Sequence, residues 1–338
     1  MAGEITPLSP ATVATGTSPL GIAISPDGLH VYVASPGISS DGIISQYSRA
    51  GGLLTPLSPA SVATAETPLG ITISPDGLHA YAVNNAVSGV RQYARTTGLL
   101  SPLSPAIVAT GPVPSNVTIS PDGLHAYVTN TGDNTVSQYS RANGLLAPLT
   151  PATAATGLNP LGVVVSPNGL HAYVCNAADN TISQYSRING LLTPLSPASV
   201  AAVSIPNSIE VSPDGAYVYT ALQGSNLVSQ YARAANGLLT PLSPGAAVTG
   251  TVPADIAISP SGRFAYVVNR NAATVFQYAI KNGLLTSMLP AAVATGTEPN
   301  SIVVSPDGLN VYITNYVSNT AAQYLVCLTV SSMSNAFA

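Results

Sequence analysis

The segment SPDGLHAYVTN, Ser120 to Asn130, returns with small changes along the whole chain of 338 residues. Its Ser-Pro pair recurs at Ser25, Ser74, Ser120, Ser166, Ser212, Ser259 and Ser305, with successive spacings of 49, 46, 46, 46, 47 and 46 residues. A repeat of this length is that of one four-stranded propeller blade, which buries its faces only against neighbouring blades. The spacing therefore predicts an all-β fold, a seven-bladed β-propeller with four antiparallel strands per blade.

Within the third unit, Asn116 to Ile119 reads as a short innermost strand. The SPDG that follows turns the chain: Pro121 presets φ, Asp122 can bond the backbone, and Gly123 accepts a positive φ. LHAYVT is the second strand, alternating and rich in β-branched and aromatic residues. A turn at DN leads into the third, TVSQYSR, and the ANG hairpin leads into the outermost, LLAPLTP. Prolines cannot donate ladder hydrogen bonds, so that strand belongs on an edge, where they also block edge-to-edge pairing.

The last unit reaches its third strand at NTAAQY and lacks a fourth, while the N-terminal GEITPLSPATVATG matches the missing one. Ile5 to Pro10, within residues 4–11, is thus expected to complete blade 7 and close the ring. This gives one domain over residues 1–330, with blades starting near 19, 68, 114, 160, 206, 253 and 299, and a tail at 331–338 that fits no repeat.

Hydrophobic residues make up 46% of the chain and charged ones 7%, which excludes disorder; a net charge of −4 gives no footprint for nucleic acid. Pro, Gly or Asn interrupts every apolar run before it reaches the length of a membrane span. Cys175 and Cys327 fall in distant repeats, so no disulfide framework is expected. The start, Met-Ala-Gly-Glu, lacks signal-peptide character, so either the protein is cytosolic or a leader has been removed. Few charges beside much Ser, Thr, Asn and Pro fit a rigid display scaffold; an exported location, periplasmic or extracellular, and a monomer are expected.

The second-strand motif is YVTN at Tyr127, YVCN at Tyr173, YVVN at Tyr266 and YITN at Tyr312. With it the chain resembles the YVTN family of seven-bladed propellers over nearly its whole length. The resemblance implies the fold. For activity it implies a group that holds lactonase-like enzymes similar to 6-phosphogluconolactonase and muconate-lactonising propellers, beside surface-layer and binding propellers without known chemistry.

Residues present in every blade most simply serve the blade. Of 16 tyrosines, seven take one position in the second strand, from Tyr32 to Tyr312, and seven follow Gln in the third, from Tyr47 to Tyr324. Their rings suit the wedge between blades, with the hydroxyl reaching a neighbour's backbone. His30, His79, His125 and His171 share one position and are too far apart around a ring to hold one metal ion, so they are expected on an exposed rim. Arg49, Arg95, Arg141, Arg187 and Arg233 end the third strand of five blades and read as solvated charges. The Asp of each SPDG reads as a turn residue.

Departures from the repeat carry more information. The innermost strand opens PLG in blades 1, 2 and 4, but PSN at Pro114, PNS at Pro206, PAD at Pro253 and PNS at Pro299. Asn116, Asn207, Asp255 and Asn300 are therefore expected at one mouth of the central channel. Glu210 stands where other blades have Ala23, Thr72, Thr118, Val164, Ala257 and Val303. It lies two residues past Ser208 on the same strand face, roughly 6–7 Å deeper at the rise of a strand. Desolvation there raises a carboxyl pKa, as a general acid or base requires. Arg270 and Tyr316 are off-pattern in the loops after the second strands of blades 6 and 7, and Arg91 starts the third strand of blade 2.

Three readings follow for this sector: drifted repeats with an Arg270–Asp255 salt bridge, a small-ligand pocket, or catalysis. The leading expectation is a non-catalytic scaffold that binds a small ligand or protein partner at the channel mouth through Asn116, Asn207, Ser208, Asp255, Asn300 and Tyr316, as a module of a larger exported protein. The alternative is a lactonase-like hydrolase in which Glu210 is the base and Arg270 holds a substrate carboxylate. No cofactor is required by either. A variant of the second adds a divalent cation such as Ca²⁺ on Glu210, Asp255, Asn207 and Asn300. A third class is a purely structural surface-layer domain with a featureless channel.

Overall fold

The computed structural model describes residues 2–38, 41–64 and 67–327; the tail expected at 331–338 lies outside them. Seven four-stranded antiparallel sheets are present. In the third blade Pro114–Ile119, His125–Asn130, Thr135–Ala142 and Leu145–Ala155 pair in chain order. The seventh blade takes Pro299–Val304, Asn310–Asn315 and Thr320–Val326, and its outermost strand is the N-terminal Ile5–Ala14. Ile5 pairs with Val326 and Ala14 with Thr320, so the ring closes as the repeat pattern requires. The closing strand runs past Pro10: pairing breaks between Pro7 and Thr12, where prolines cannot donate, and resumes beyond them.

The core lies in the seams between blades. Tyr81, Val83 and Val90 of the second blade pack with Val117, Val128 and Tyr139 of the third, and similar clusters fill the other seams. Each blade is also tied to both neighbours through polar tips. Tyr81 Oη donates to the Gly144 carbonyl of the following blade at 2.7 Å, and Tyr139 Oη to the Ala109 carbonyl of the preceding one at 2.6 Å. Gln138 Oε1 accepts the Leu192 amide across the next seam at 2.7 Å. These bonds satisfy backbone groups that would otherwise be buried without partners. Gly144 has φ +82°, and a Cβ there would overlap the His79 imidazole.

Two expectations about the far rim are corrected. The side chain of Arg141 is only 8% exposed, so it is not a solvated charge. Its Nε donates to Tyr81 Oη at 2.7 Å and its Nη1 to the Gly123 carbonyl at 2.9 Å. Nη2 reaches Asp76 Oδ2 at 2.7 Å and His79 Nδ1 at 2.8 Å, both on the preceding blade. Ring closure brings the end of each third strand against the preceding blade's SPDG turn, and the planar guanidinium fork serves several acceptors there. The turn residues Asp27, Asp76, Asp122 and Asp307 therefore also bind across the seam. Burial acts to raise Asp76, but bonds from Ser74, the Leu78 amide and Arg141 outweigh it and hold the carboxyl at about 2.

The histidines, in turn, lie half-buried or buried beneath these arginines rather than exposed. Because a guanidinium only donates, His79 Nδ1 must accept. Blade 7 has Asn310 at this position, and its Oδ1 accepts from Arg49 Nη2 at 2.6 Å, which is the same task. Burial first, and the Arg141 charge second, hold the His79 pKa below its usual value. Among the described residues, no helix is long and apolar enough to cross a membrane.

Candidate active site

The innermost strands surround a cavity of about 580 Å³ in the central channel. Glu210, Arg270, Asn116, Asn207, Ser208, Asp255 and Asn300 all line it; Tyr316 does not, and its amide instead donates to the Glu298 carbonyl at 2.9 Å. The repeat register sorts the mouth into two levels. Asn207 and Asn300 take the second position of their P-x-x openings, whereas Asn116, Ser208 and Asp255 take the third. The four residues expected at one mouth therefore occupy two successive positions of a twisted strand.

Asp255 is the most heavily bonded group of the channel. Ser208 Oγ donates to Oδ1 at 2.5 Å and the Ile256 amide to the same oxygen at 2.9 Å. Ser301 Oγ donates to Oδ2 at 2.8 Å and the Ile302 amide at 3.0 Å. Ser208, Asp255 and Ser301 hold the same repeat position in blades 5, 6 and 7, so the carboxylate is clasped from both flanking blades. Burial raises its pKa, while all four donors oppose that rise. Ser301 escapes sequence reading, although the PNS shared by residues 206–208 and 299–301 was a usable signal.

Glu210 contrasts with it. Its position places it level with Ala23, Thr72, Ala257 and Val303, which also line the cavity. Among the described residues no hydrogen bond reaches its carboxyl group. The residue is half-buried and lines the cavity. Burial, and then the charge of Asp255, push its pKa up to about 8.

Arg270 and Asp255 form no salt bridge among the described residues. The guanidinium Nη2 donates instead to Asn300 Oδ1, whose Nδ2 donates to the Leu20 carbonyl at 3.3 Å. Asn207 Nδ2 donates to the Ala254 carbonyl at 2.6 Å. Arg91, the other off-pattern arginine, does not line the cavity.

The donor set does not fit a divalent cation. Calcium needs several oxygens free at about 2.3–2.6 Å from one point. Here both Asp255 oxygens already take two donors each and Asn300 Oδ1 faces a cation. Among the described residues, no three His, Cys, Asp or Glu side chains converge.

The family described as lactonase, seven-bladed β-propeller, matches residues 116–252 and 242–332, more than half of the chain. The chain belongs to this lactonase family. Membership overturns the expectation of a non-catalytic binding scaffold and favours its alternative, a lactonase-like hydrolase. A Bacteroides fragilis propeller provisionally assigned as a 6-phosphogluconolactonase is 21% identical, with TM-score 0.75 over 88% of this chain and 87% of that one. The periplasmic gluconolactonase PpgL of Pseudomonas aeruginosa is 21% identical, with TM-score 0.70 over 86% and 89%. Hydrazine synthase of Kuenenia stuttgartiensis is 20% identical, with TM-score 0.74 over 94% and 98%. At such identities the lactonase family shares its fold with proteins of quite different chemistry. No curated protein matches the chain in sequence.

Proposed function

We propose that this lactonase-family propeller hydrolyses lactones in its central channel, with Glu210 as general base. The supporting observation is a carboxyl group with no hydrogen-bond partner among the described residues, lining the channel with its pKa pushed up to about 8, beside an Asp255 carboxyl already saturated by donors. A base whose pKa lies near the working pH combines a useful population of its ionised form with real proton affinity.

Ionised Glu210 takes a proton from water as the water oxygen bonds to the lactone carbonyl carbon. The carbonyl oxygen becomes negative, and Arg270 is the cation in the cavity that can meet that charge. Collapse breaks the ring C–O bond, the proton on Glu210 passes to the leaving alkoxide, and a hydroxy acid departs. Asp255 takes no part in the proton transfers; its role is to position Ser208 and Ser301 and to hold the Glu210 pKa up.

The test is turnover of a lactone panel by wild type and Glu210→Gln, followed by proton release. Turnover that is lost in the variant, while its melting temperature is maintained, supports the reading. Equal turnover by both proteins overturns it.

A further inference from the structure

The polar side chains of the channel mouth divide into those that bond the protein and those that do not. In blades 5 to 7 each has a protein partner. Ser208 and Ser301 donate to Asp255, Asn207 Nδ2 donates to the Ala254 carbonyl, and Asn300 lies between Arg270 and the Leu20 carbonyl. Blades 1, 2 and 4 open with Leu and Gly and bring no polar side chain to these positions. Blade 3 differs from both sets. Its Ser115 and Asn116 line the cavity between Leu69 of blade 2 and Leu161 of blade 4. Ser115 is half-buried and Asn116 exposed, and among the described residues neither side chain has a hydrogen bond to the protein.

The backbone that carries Asn116 is held in place. Its amide donates to Thr129 Oγ1 at 3.1 Å, and that hydroxyl donates to the Leu161 carbonyl of blade 4 at 2.7 Å. Blade 7 repeats the device: the Ser301 amide donates to Thr314 Oγ1 at 3.0 Å, and Thr314 Oγ1 donates to the Leu20 carbonyl at 2.8 Å. Asn116 and Ser301 share one repeat position, and the two threonines belong to YVTN and YITN. In blade 7 the residue so fixed serves Asp255. In blade 3 its side-chain amide is left to solvent or to a ligand. Around the ring, blade 3 stands three blades from blade 6 in one direction and three from blade 7 in the other. It therefore lies across the channel from Asp255, Arg270 and Asn300.

We infer that Asn116, assisted by Ser115, is a substrate-positioning residue: it hydrogen-bonds an uncharged polar group on the non-reacting side of the lactone and so directs the carbonyl toward Glu210 and Arg270. This rests on the hydrolase reading given above and adds to it the group that holds the other end of the molecule. A carboxamide has two donors and an acceptor, and a hydroxyl has one donor and two lone pairs, so the two match in either direction. Substrate entry strips water from the amide, and a substrate that restores the lost bond is favoured over one that cannot.

The test compares kcat/KM for glucono-1,5-lactone with that for δ-valerolactone, the same ring without hydroxyls, in wild type, Asn116→Leu, Asn116→Gln and Ser115→Ala. Wild type should prefer the hydroxylated ring. Asn116→Leu keeps the volume and removes the hydrogen bond, so the gluconolactone-to-valerolactone ratio should fall by about 2–10-fold, the worth of one neutral hydrogen bond. Asn116→Gln should restore part of that ratio, and Ser115→Ala should lower it by less than Asn116→Leu does. General loss of folding lowers both activities alike and leaves the ratio unmoved. A ratio unchanged in Asn116→Leu, or a wild type that prefers valerolactone, overturns the inference. If neither lactone is hydrolysed, the hydrolase reading fails, and calorimetry with gluconolactam and δ-valerolactam decides the positioning role separately. Selective weakening of gluconolactam binding in Asn116→Leu upholds it; equal weakening of both, no weakening, or no binding to wild type overturns it.

Discussion

Ser208 Oγ donates to Asp255 Oδ1 at 2.5 Å across the seam between blades 5 and 6, although 47 residues of chain separate the two. Ser301 does the same from the other side, at 2.8 Å and a separation of 46. Three neighbouring blades thus spend one repeat position on a single carboxylate. Glu210 is left beside it with no donor among the described residues, and the contrast between the two acids sets the expected chemistry.

If ionised Glu210 is the base, kcat/KM should rise about tenfold per pH unit at low pH and level off near pH 8, the value to which burial and Asp255 push it. Glu210→Gln should lower kcat/KM by about 10²–10⁴-fold and abolish that rise. A pH–rate profile of both proteins measures the two effects together.

Asp255→Asn removes a negative charge that raises the Glu210 pKa. The midpoint of the pH–rate profile should move to lower pH, by an amount that increases as ionic strength falls. A purely structural Asp255 would lower activity without moving the midpoint, so the profile distinguishes the two roles.

Stability carries the same signature. The folded-state pKa of Glu210 is raised, so its protonated form favours the native state below the unfolded value of 4.5, and that contribution is lost as pH rises toward about 8. Glu210→Gln cannot ionise. Its melting temperature should therefore exceed that of wild type by more at pH 9 than at pH 5, as scanning calorimetry at the two pH values would register.

On the far rim the sign reverses. The His79 pKa is depressed by burial and by Arg141, so its contribution is present above the unfolded value of 6.5 and lost as pH falls through the folded one. His79→Asn copies the arrangement of Asn310 with Arg49 and should keep neutral-pH stability while reducing the loss on acidification. Arg141→Met should cost about 1–3 kcal/mol at neutral pH, because Tyr81 and the Gly123 carbonyl lose a buried donor. Urea unfolding at pH 7 and pH 5 reads both variants.

Much of this molecule is legible in its chain because a repeat multiplies every local signal. Blade number and the N-terminal closing strand follow from a period and a missing unit. The same periodicity shows which residues fail to repeat, and so singles out Glu210, Asp255 and Arg270. Tyr316 was singled out by the same rule and does not line the cavity, since being off-pattern does not say where a loop residue points. Arg141 and its equivalents read as solvated in the sequence because their partners sit in another blade, 60 residues away at Tyr81 and 65 at Asp76.

By itself the sequence determined the seven-bladed ring, its closure and the odd residues gathered in blades 5 to 7. Those are consequences of strand propensity, turn chemistry and counting, all of them local or periodic. Only the tertiary structure decided that Asp255 is capped by Ser208 and Ser301, that Arg270 turns to Asn300 instead of to Asp255, and that no donor among the described residues reaches the Glu210 carboxyl. Those outcomes depend on side-chain distances across blade seams, which are set by how strands twist and pack around the channel and have no counterpart along the chain.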